Sequence, residues 1–493
     1  MTRTAARPRR ARLVRALAGT LAVGLVAAGL VGAATAPTTT AAYTDRAAAE
    51  TAGVITTTVG LTPQQTRLAG TATAILDDGT VAVWGFRGNG LSGTGVATVA
   101  QGAAISVTTL PSDGHADGAR RAVKLAGTSL DNYFATDAGY TGIAALSDDG
   151  RVYTWGGTQA NNVMGRTNAT TPFTQPGQVD IPGTVVDLTS SATVFMALTS
   201  DGDLYTWGHA QARGATGQGG TSTSAAVPTK ILSGVHSVGA GMWNGWAVRT
   251  ATGDDAAGVY WWGWANSATG YAGDPSGANQ TSNANAPTRS EVLSAYVAGC
   301  DTVGVVAGSA DDTCSVRSLT GHYYGNQMVL ADGSLYTWGN YSEEGTGRPD
   351  GTNLEDNTPT LVELAPGVGA VQVGTSEDYV MVLGTDGQVY VYGRYSFSRG
   401  PDPATGAMTA TNVLAPTALA TLGSDVEAVV GFGYSGGVRH ADGTTSWWGG
   451  TDQGGNENWY QPIRTGFATT TLGTTPAAPI TKLDFPGATQ EGS

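Results

Sequence analysis

The chain has 493 residues, with 25 Lys plus Arg against 39 Asp plus Glu and a formal net charge of −14, which excludes attachment to nucleic acid or an anionic membrane by bulk electrostatics. Only 13% of residues are charged and 41% are hydrophobic, so a large core can form and charge-driven disorder is excluded. Glycine, at 73 residues, is about twice as frequent as in an average protein and implies an unusual number of turns.

The first element in chain order is an export signal. Residues 1–16 carry Arg3, Arg7, Arg9, Arg10, Arg12 and Arg15 and no acid, Leu17 to Val31 is almost continuously apolar, and Ala34-Thr35-Ala36 offers a small-residue cleavage site. That order predicts a secretory signal over 1–36, with an apolar run too short to span a membrane comfortably. Arg9-Arg10 leaves both the general and the twin-arginine route open. Removing residues 1–36 leaves 19 basic against 39 acidic residues, a net of −20. With no sorting motif near the C-terminus, the expectation is a secreted protein free of the membrane. A lead-in segment covers 37–67.

One phrase then recurs seven times: LDDGTVAVWG (76–85), SDDGRVYTWG (147–156), TSDGDLYTWG (199–208), DDAAGVYWWG (254–263), LADGSLYTWG (330–339), GTDGQVYVYG (384–393) and HADGTTSWWG (440–449). Its aromatic anchors, Trp84, Trp155, Trp207, Trp262, Trp338, Tyr392 and Trp448, are separated by 71, 52, 55, 76, 54 and 56 residues. Four steps agree closely, so the unit is about 54 residues and the two long steps hold insertions, placed at 100–130 and 275–320. Within a unit, an alternating stretch such as Val380-Met381-Val382-Leu383 meets an Asp-Gly turn and returns as Gln388-Val389-Tyr390-Val391-Tyr392, the pattern of a β-hairpin. Glycine-rich and Pro-marked stretches follow, then another β-rich run such as 369–374, which makes four short strands per unit. Such a sheet cannot bury both faces alone, and radial repetition is the β solution that leaves short, protected edges.

The motif [AV]L-x-x-DG-x-[VL]-[YA]-x-WG at this period resembles the regulator of chromosome condensation repeat. The resemblance covers 68–465 and implies an all-β protein: a seven-bladed β-propeller of four-stranded antiparallel blades, preceded by the cleaved signal. The fourth copy departs from it in lacking a clean Asp-Gly, and the His that often precedes the first hairpin strand is missing, with Tyr379 near its place in copy six. The tail 466–493 either completes the last blade through Ile480-Thr481-Lys482-Leu483 or hangs free, and the resemblance implies that a C-terminal strand closes the first blade.

Only two cysteines are present, Cys300 and Cys314. In an exported protein an even pair this close reads as a disulfide, and without a nearby His pair it cannot complete a zinc site. Asp301, Asp311 and Asp312 lack EF-hand spacing and read as a solvated acidic loop rather than a calcium site. His115, His209, His236, His322 and His440 are scattered, with no H-E-x-x-H and no G-x-S-x-G elbow. No enzymatic activity, metal or cofactor is expected.

The Trp/Tyr-Gly pairs, identical in every unit, read as packing between neighbouring sheets. Function belongs where the copies differ, in the stretch before the first hairpin strand and the loop after the Trp-Gly pair. There the candidate interface residues are Phe134, Trp243, Trp246, Trp264, Tyr323, Tyr324, Tyr341, Asp378, Tyr379, Tyr395, Phe397, Tyr434 and Trp459, aromatics among acids and amides as in protein-interaction hot spots. The expectation is a secreted, monomeric, non-enzymatic scaffold that binds a protein or cell-envelope partner and no nucleic acid. The resemblance also implies, from the propeller-type β-lactamase inhibitors whose architecture it shares, an inhibitor of a secreted hydrolase; a carbohydrate-binding or carbohydrate-active propeller is the other alternative. Nuclear nucleotide-exchange activity, the role of the eukaryotic family member, conflicts with an exported, acidic protein.

Overall fold

The computed structural model describes residues 65–66, most of 71–449, and 481–483; within 71–449 the longest stretches outside the described residues are 98–105, 129–139 and 265–282. Seven units follow one another. Blade 1 holds β1 (Gln65–Thr66), β2 (Thr71–Ile75), β3 (Val81–Gly85) and β4 (Ser106–Thr108). Blade 2 holds β5 (Ala122–Thr128), β6 (Gly142–Ser147), β7 (Val152–Trp155) and β8 (Gly177–Val179), and blade 3 β9 (Val185–Ser190), β10 (Val194–Thr199), β11 (Leu204–His209) and β12 (Ser224–Leu232). Blade 4 holds β13 (Val235–Ala240), β14 (Asn244–Arg249), β15 (Gly258–Gly263) and β16 (Ala284–Ser290), and blade 5 β17 (Val316–Gly321), β18 (Gly325–Leu330), β19 (Leu335–Asn340) and β20 (Glu355–Val362). In blade 6, β21 (Ala370–Thr375), β22 (Tyr379–Gly384) and β23 (Val389–Gly393) are followed by a small hairpin, β24 (Gly400–Pro401) and β25 (Met408–Thr409), before the outer strand β26 (Val413–Ala418). Blade 7 holds β27 (Val426–Phe432), β28 (Ser435–His440), β29 (Thr445–Gly449) and β30 (Thr481–Leu483).

The first strand of each blade lies innermost, and these strands adjoin in the cycle β1, β5, β9, β13, β17, β21, β27 and back to β1. β1 closes the ring by pairing in parallel with both neighbours, Gln65 opposite Gly431 and Ala126, Thr66 opposite Phe432 and Gly127. β30 completes blade 7 by antiparallel pairing with β29, Thr445 opposite Leu483. The tail therefore supplies the outer strand of its own blade rather than of blade 1, unlike the closure common in the family. The 37–67 and 466–493 segments each contribute one strand to the ring. Outer strands are the exposed edges, and β12, β16, β20 and β26 carry Pro228, Pro287, Pro359 and Pro416, which deny a ladder donor to any added strand.

Two recurring devices join the blades. At the Asp-Gly turn Gly202 has φ +77°, a left-handed conformation that costs other residues energy, and its carbonyl accepts the amide of Val235, the first residue of the next blade, at 2.9 Å. The same bond recurs from Ala122 to Gly79, Val185 to Gly150, Ala370 to Gly333 and Val426 to Gly387. At the opposite end the repeated Trp reaches back: Trp155, Trp207 and Trp262 each donate Nε1–H to a backbone carbonyl of the preceding blade, Leu91, Val163 and Ala215, all at 3.1 Å. Where Thr precedes the Trp it holds the same kind of loop from within its own blade, Thr154 donating to Met164 O, Thr206 to Thr216 O and Thr337 to Thr346 O. Gly217 (φ +66°) then lies flat against the next blade, where a Cβ would sit 2.7 Å from the Trp262 ring. The packing reading of the repeated Trp-Gly pairs thus holds, bond by bond.

Blade 4 lacks the Asp-Gly turn, and the segment between β16 and β17 fills in. A one-turn helix, α1 (Glu291–Ser294), is capped by Ser290 accepting from Leu293 N, and Ser294 Oγ accepts the Val259 amide at 3.0 Å. Cys300 and Cys314 are disulfide-bonded, with Cα atoms 4.2 Å apart. The loop they close lies along the start of β13, Gly304 and Val305 donating to Val235 O and His236 O. Here the structure corrects the reading of a solvated acidic loop. Asp301 and Asp311 are exposed, but Asp312 is 4% exposed and accepts from His236 Nε2 (3.0 Å), Cys314 N (2.8 Å), Gly308 N (2.7 Å) and Arg317 Nη1 (3.0 Å).

Candidate functional site

Antiparallel order within a blade puts the turn from first to second strand and the loop from third to fourth strand at one end, and the Asp-Gly turns at the other. Backbone bonds between the two loop sets show that they meet: His209 N donates to Thr193 O at 2.9 Å in blade 3, and Trp264 N to Trp243 O at 3.1 Å in blade 4. The two variable regions marked in the sequence therefore share one face.

On that face, at the boundary of blades 3 and 4, the guanidinium of Arg213 lies between two indoles, its central carbon 3.9 Å from the Trp243 ring centroid and 4.5 Å from that of Trp264. Arg213 comes from the loop after β11, Trp243 from the β13–β14 turn, and Trp264 directly follows β15. Trp243 is buried, while Arg213 and Trp264 are half-buried. A cation between two rings is favourable, by roughly 0.5–2 kcal/mol for each ring. Yet Arg213 Nη1 and Trp243 Nε1 are both buried with no acceptor. Ser191 Oγ and the Asn244 side-chain amide, in adjoining turns, are buried and bare as well. One blade further back, Tyr140 meets His209 edge to face with centroids 5.2 Å apart, and burial holds the His209 imidazole below its ordinary pKa and so neutral at neutral pH. Tyr140, His209, Arg213 and Trp264, all half-buried, form a band across blades 2 to 4.

Two other clusters have the composition of sites and the bonding of struts. His236, Asp312 and Cys314 converge within 4.8 Å, but the Cys314 sulfur is in the disulfide and the Asp312 carboxylate is already saturated, so this set cannot offer a cation a thiolate. Burial alone would raise the Asp312 pKa; bonds from His236, the Gly308 and Cys314 amides and Arg317 outweigh it and hold the carboxyl below its ordinary range. Asp425, His440 and Ser446 are bonded in the order of a charge-relay set, Asp425 Oδ1 to His440 Nδ1 at 3.0 Å and His440 Nε2 to Ser446 Oγ at 2.9 Å. Ser446, however, is buried in β29, paired on both sides with β28 and β30. A buried hydroxyl within a paired ladder has neither substrate access nor spare amides for an oxyanion, and the set ties blade 7 together.

No family model matches the protein. A stretch of 72 residues is 43% identical to the human regulator of chromosome condensation, covering 14% of this chain and 17% of that protein. Schizosaccharomyces pombe protein pim1 is 26% identical over 267 residues, 51% of this chain and 44% of pim1; the matched regions thus span less than half the length of these relatives. Among solved structures, yeast RCC1 (Prp20) bound to Kap60 superposes with a TM-score of 0.59 at 15% identity over 94% of this chain and 92% of that one. Saccharomyces cerevisiae Prp20p, described together with its binding to Gsp1p and histones, gives 0.58 at 15% identity over 87% and 88%. The protein has the β-propeller fold of these regulator of chromosome condensation structures.

Within this propeller the expected interface residues divide. Trp264 lies half-buried on the loop face, and Trp243 is its buried neighbour beneath Arg213. Trp246, Tyr379 and Tyr395 have no exposed surface, which removes them from any binding face. Trp246 packs in the core against Trp338, centroids 6.4 Å apart. Tyr379 does the work that a backbone carbonyl does in other blades, its hydroxyl accepting from Trp448 Nε1 at 2.9 Å, and Tyr395 packs edge-on against it. Phe134, Tyr323, Tyr324, Tyr341, Asp378, Phe397, Tyr434 and Trp459 lie outside the described residues, as does the expected signal over 1–36. Sequence reasoning does not reach Arg213, Tyr140 or His209. Arg213 carries one signal, a cation among turn residues with no acid nearby in Gln211-Ala212-Arg213-Gly214.

Proposed function

We propose that this propeller is a secreted, non-enzymatic scaffold that binds a protein partner through the loop face of blades 2 to 4. The observation that carries the reading is the Arg213 sandwich: Trp, Tyr and Arg are the residue types that dominate binding hot spots, and here they are grouped, half-buried and left with unused donors. Prp20p, of the same fold, is described with protein partners, which supports a protein rather than a sugar as occupant. The basic stretch, apolar run and Ala34-Thr35-Ala36 support export, and a net charge of −14 argues against nucleic acid.

The test is capture of a partner from the medium into which the protein is secreted, comparing the native protein with a Tyr140→Ala/Trp264→Ala variant. Both side chains are half-buried, so the fold should survive with little change in melting. Loss of two hot-spot aromatics, at about 2 kcal/mol each, should weaken capture by on the order of 1,000-fold. Unchanged capture would remove this face from the function.

A further inference from the structure

The Arg213 slot is short of an acceptor in a protein rich in them. Acids outnumber bases 39 to 25, and other described arginines are provided for. Arg120, Arg151, Arg289, Arg317 and Arg439 pair with carboxylates, while Arg249 donates to Ser233 O. Arg213 has two rings instead. The indoles of Trp243 and Trp264 both lie over the guanidinium, their ring centroids 3.9 and 4.5 Å from its central carbon, which leaves its N–H edge for recognition. On that edge Nη1 is buried without an acceptor, and Trp243, 1% exposed, holds Nε1–H in the same state. Buried donors are almost always paired, and these two, in contacting side chains, are open to an acceptor.

We infer that this slot receives a carboxylate presented by the protein partner, either an Asp or Glu side chain or the terminal carboxylate, with its oxygens accepting from Arg213 and from Trp243 Nε1. A planar, singly charged carboxylate matches one guanidinium edge. A phosphate would carry nearly twice the charge into a slot that has no second cation among the described residues and lies on an acidic protein. The inference rests on the loop face being the partner-binding face and adds what that face selects.

The experiment follows the indole N–H resonances of the ¹⁵N-labelled full-length protein, with Trp243 assigned by Trp243→Phe, during titration with a Glu-containing peptide, the same peptide with Gln, acetate, and inorganic phosphate. The Glu peptide is expected to move the Trp243 resonance downfield to saturation, with acetate acting in the same direction only at far higher concentration and the Gln peptide and phosphate without effect. Arg213→Gln should abolish the movement while the resonances of Trp155, Trp207 and Trp262 stay in place, reporting an intact ring. A Trp243 resonance that ignores the Glu peptide, follows the Gln peptide equally, saturates with acetate at the peptide's concentration, or answers to phosphate overturns the assignment. Failure here with partner capture still lost in Tyr140→Ala/Trp264→Ala would leave the binding face standing and remove only the carboxylate.

Discussion

Replacing Asp312 by Ala is expected to lower the free energy of unfolding by about 3–5 kcal/mol, the usual result of removing one partner from a buried ionic cluster. The carboxylate is 4% exposed, and its loss strands the His236 imidazole, the Arg317 guanidinium and two amides, those of Gly308 and Cys314. Asp312→Asn keeps an acceptor and should lose clearly less. The same carboxylate predicts a pH dependence. Its folded pKa lies below the ordinary 3.8, so the unfolded state binds the proton first on acidification; the contribution is complete above that value and is lost as pH falls through the folded pKa. Urea midpoints of the native and Asp312→Asn proteins should therefore converge below about pH 4. Parallel curves down to about pH 2 would mean that the cluster does not hold the disulfide loop against β13.

Trp207→Ala should be similarly costly, by about 3–5 kcal/mol for the lost burial and the cavity together. Trp207 has no exposed surface, stacks on Phe195 at 5.5 Å, and donates to Val163 O of the preceding blade. Trp207→Phe keeps most of the volume and leaves only that carbonyl unpaired, a loss of about 1–3 kcal/mol. Thermal melts of both variants beside Trp264→Ala separate the two kinds of tryptophan: the repeated one cements blades, and the half-buried loop one should change melting little. Equal losses at Trp207 and Trp264 would contradict that division.

The contrast also explains which features were legible in the sequence. Every blade solves the same packing problem, so the Asp-Gly turn and the Trp-Gly pair recur at one period and can be read without coordinates. The closure was not legible, because β1 and β30 are two- and three-residue strands and the strands that flank β1 include one from the far end of the sequence. Within Met242-Trp243-Asn244-Gly245-Trp246 composition cannot separate a loop ring from a core ring. The structure does so through strand register, since Trp246 lies within β14 opposite Trp261 and Gly239 while Trp243 sits in the turn before it. Tyr379 and Tyr395 have the look of surface aromatics because they interrupt the repeat; Tyr379 interrupts it by replacing a backbone acceptor for Trp448. Arg213 is nearly silent in the sequence because a lone arginine in a glycine-rich loop, even with no acid nearby, acquires meaning only when rings from the next blade lie over it.

The central claim is that partners engage the loop face and not the Asp-Gly face. A photo-crosslinking amino acid placed at Tyr140, on the loop face, and separately at Asp442, on an exposed Asp-Gly turn of the opposite face, tests it directly. Adducts to one and the same protein from position 140, and none from position 442, are the predicted result. Adducts from position 442 with none from 140 would contradict it.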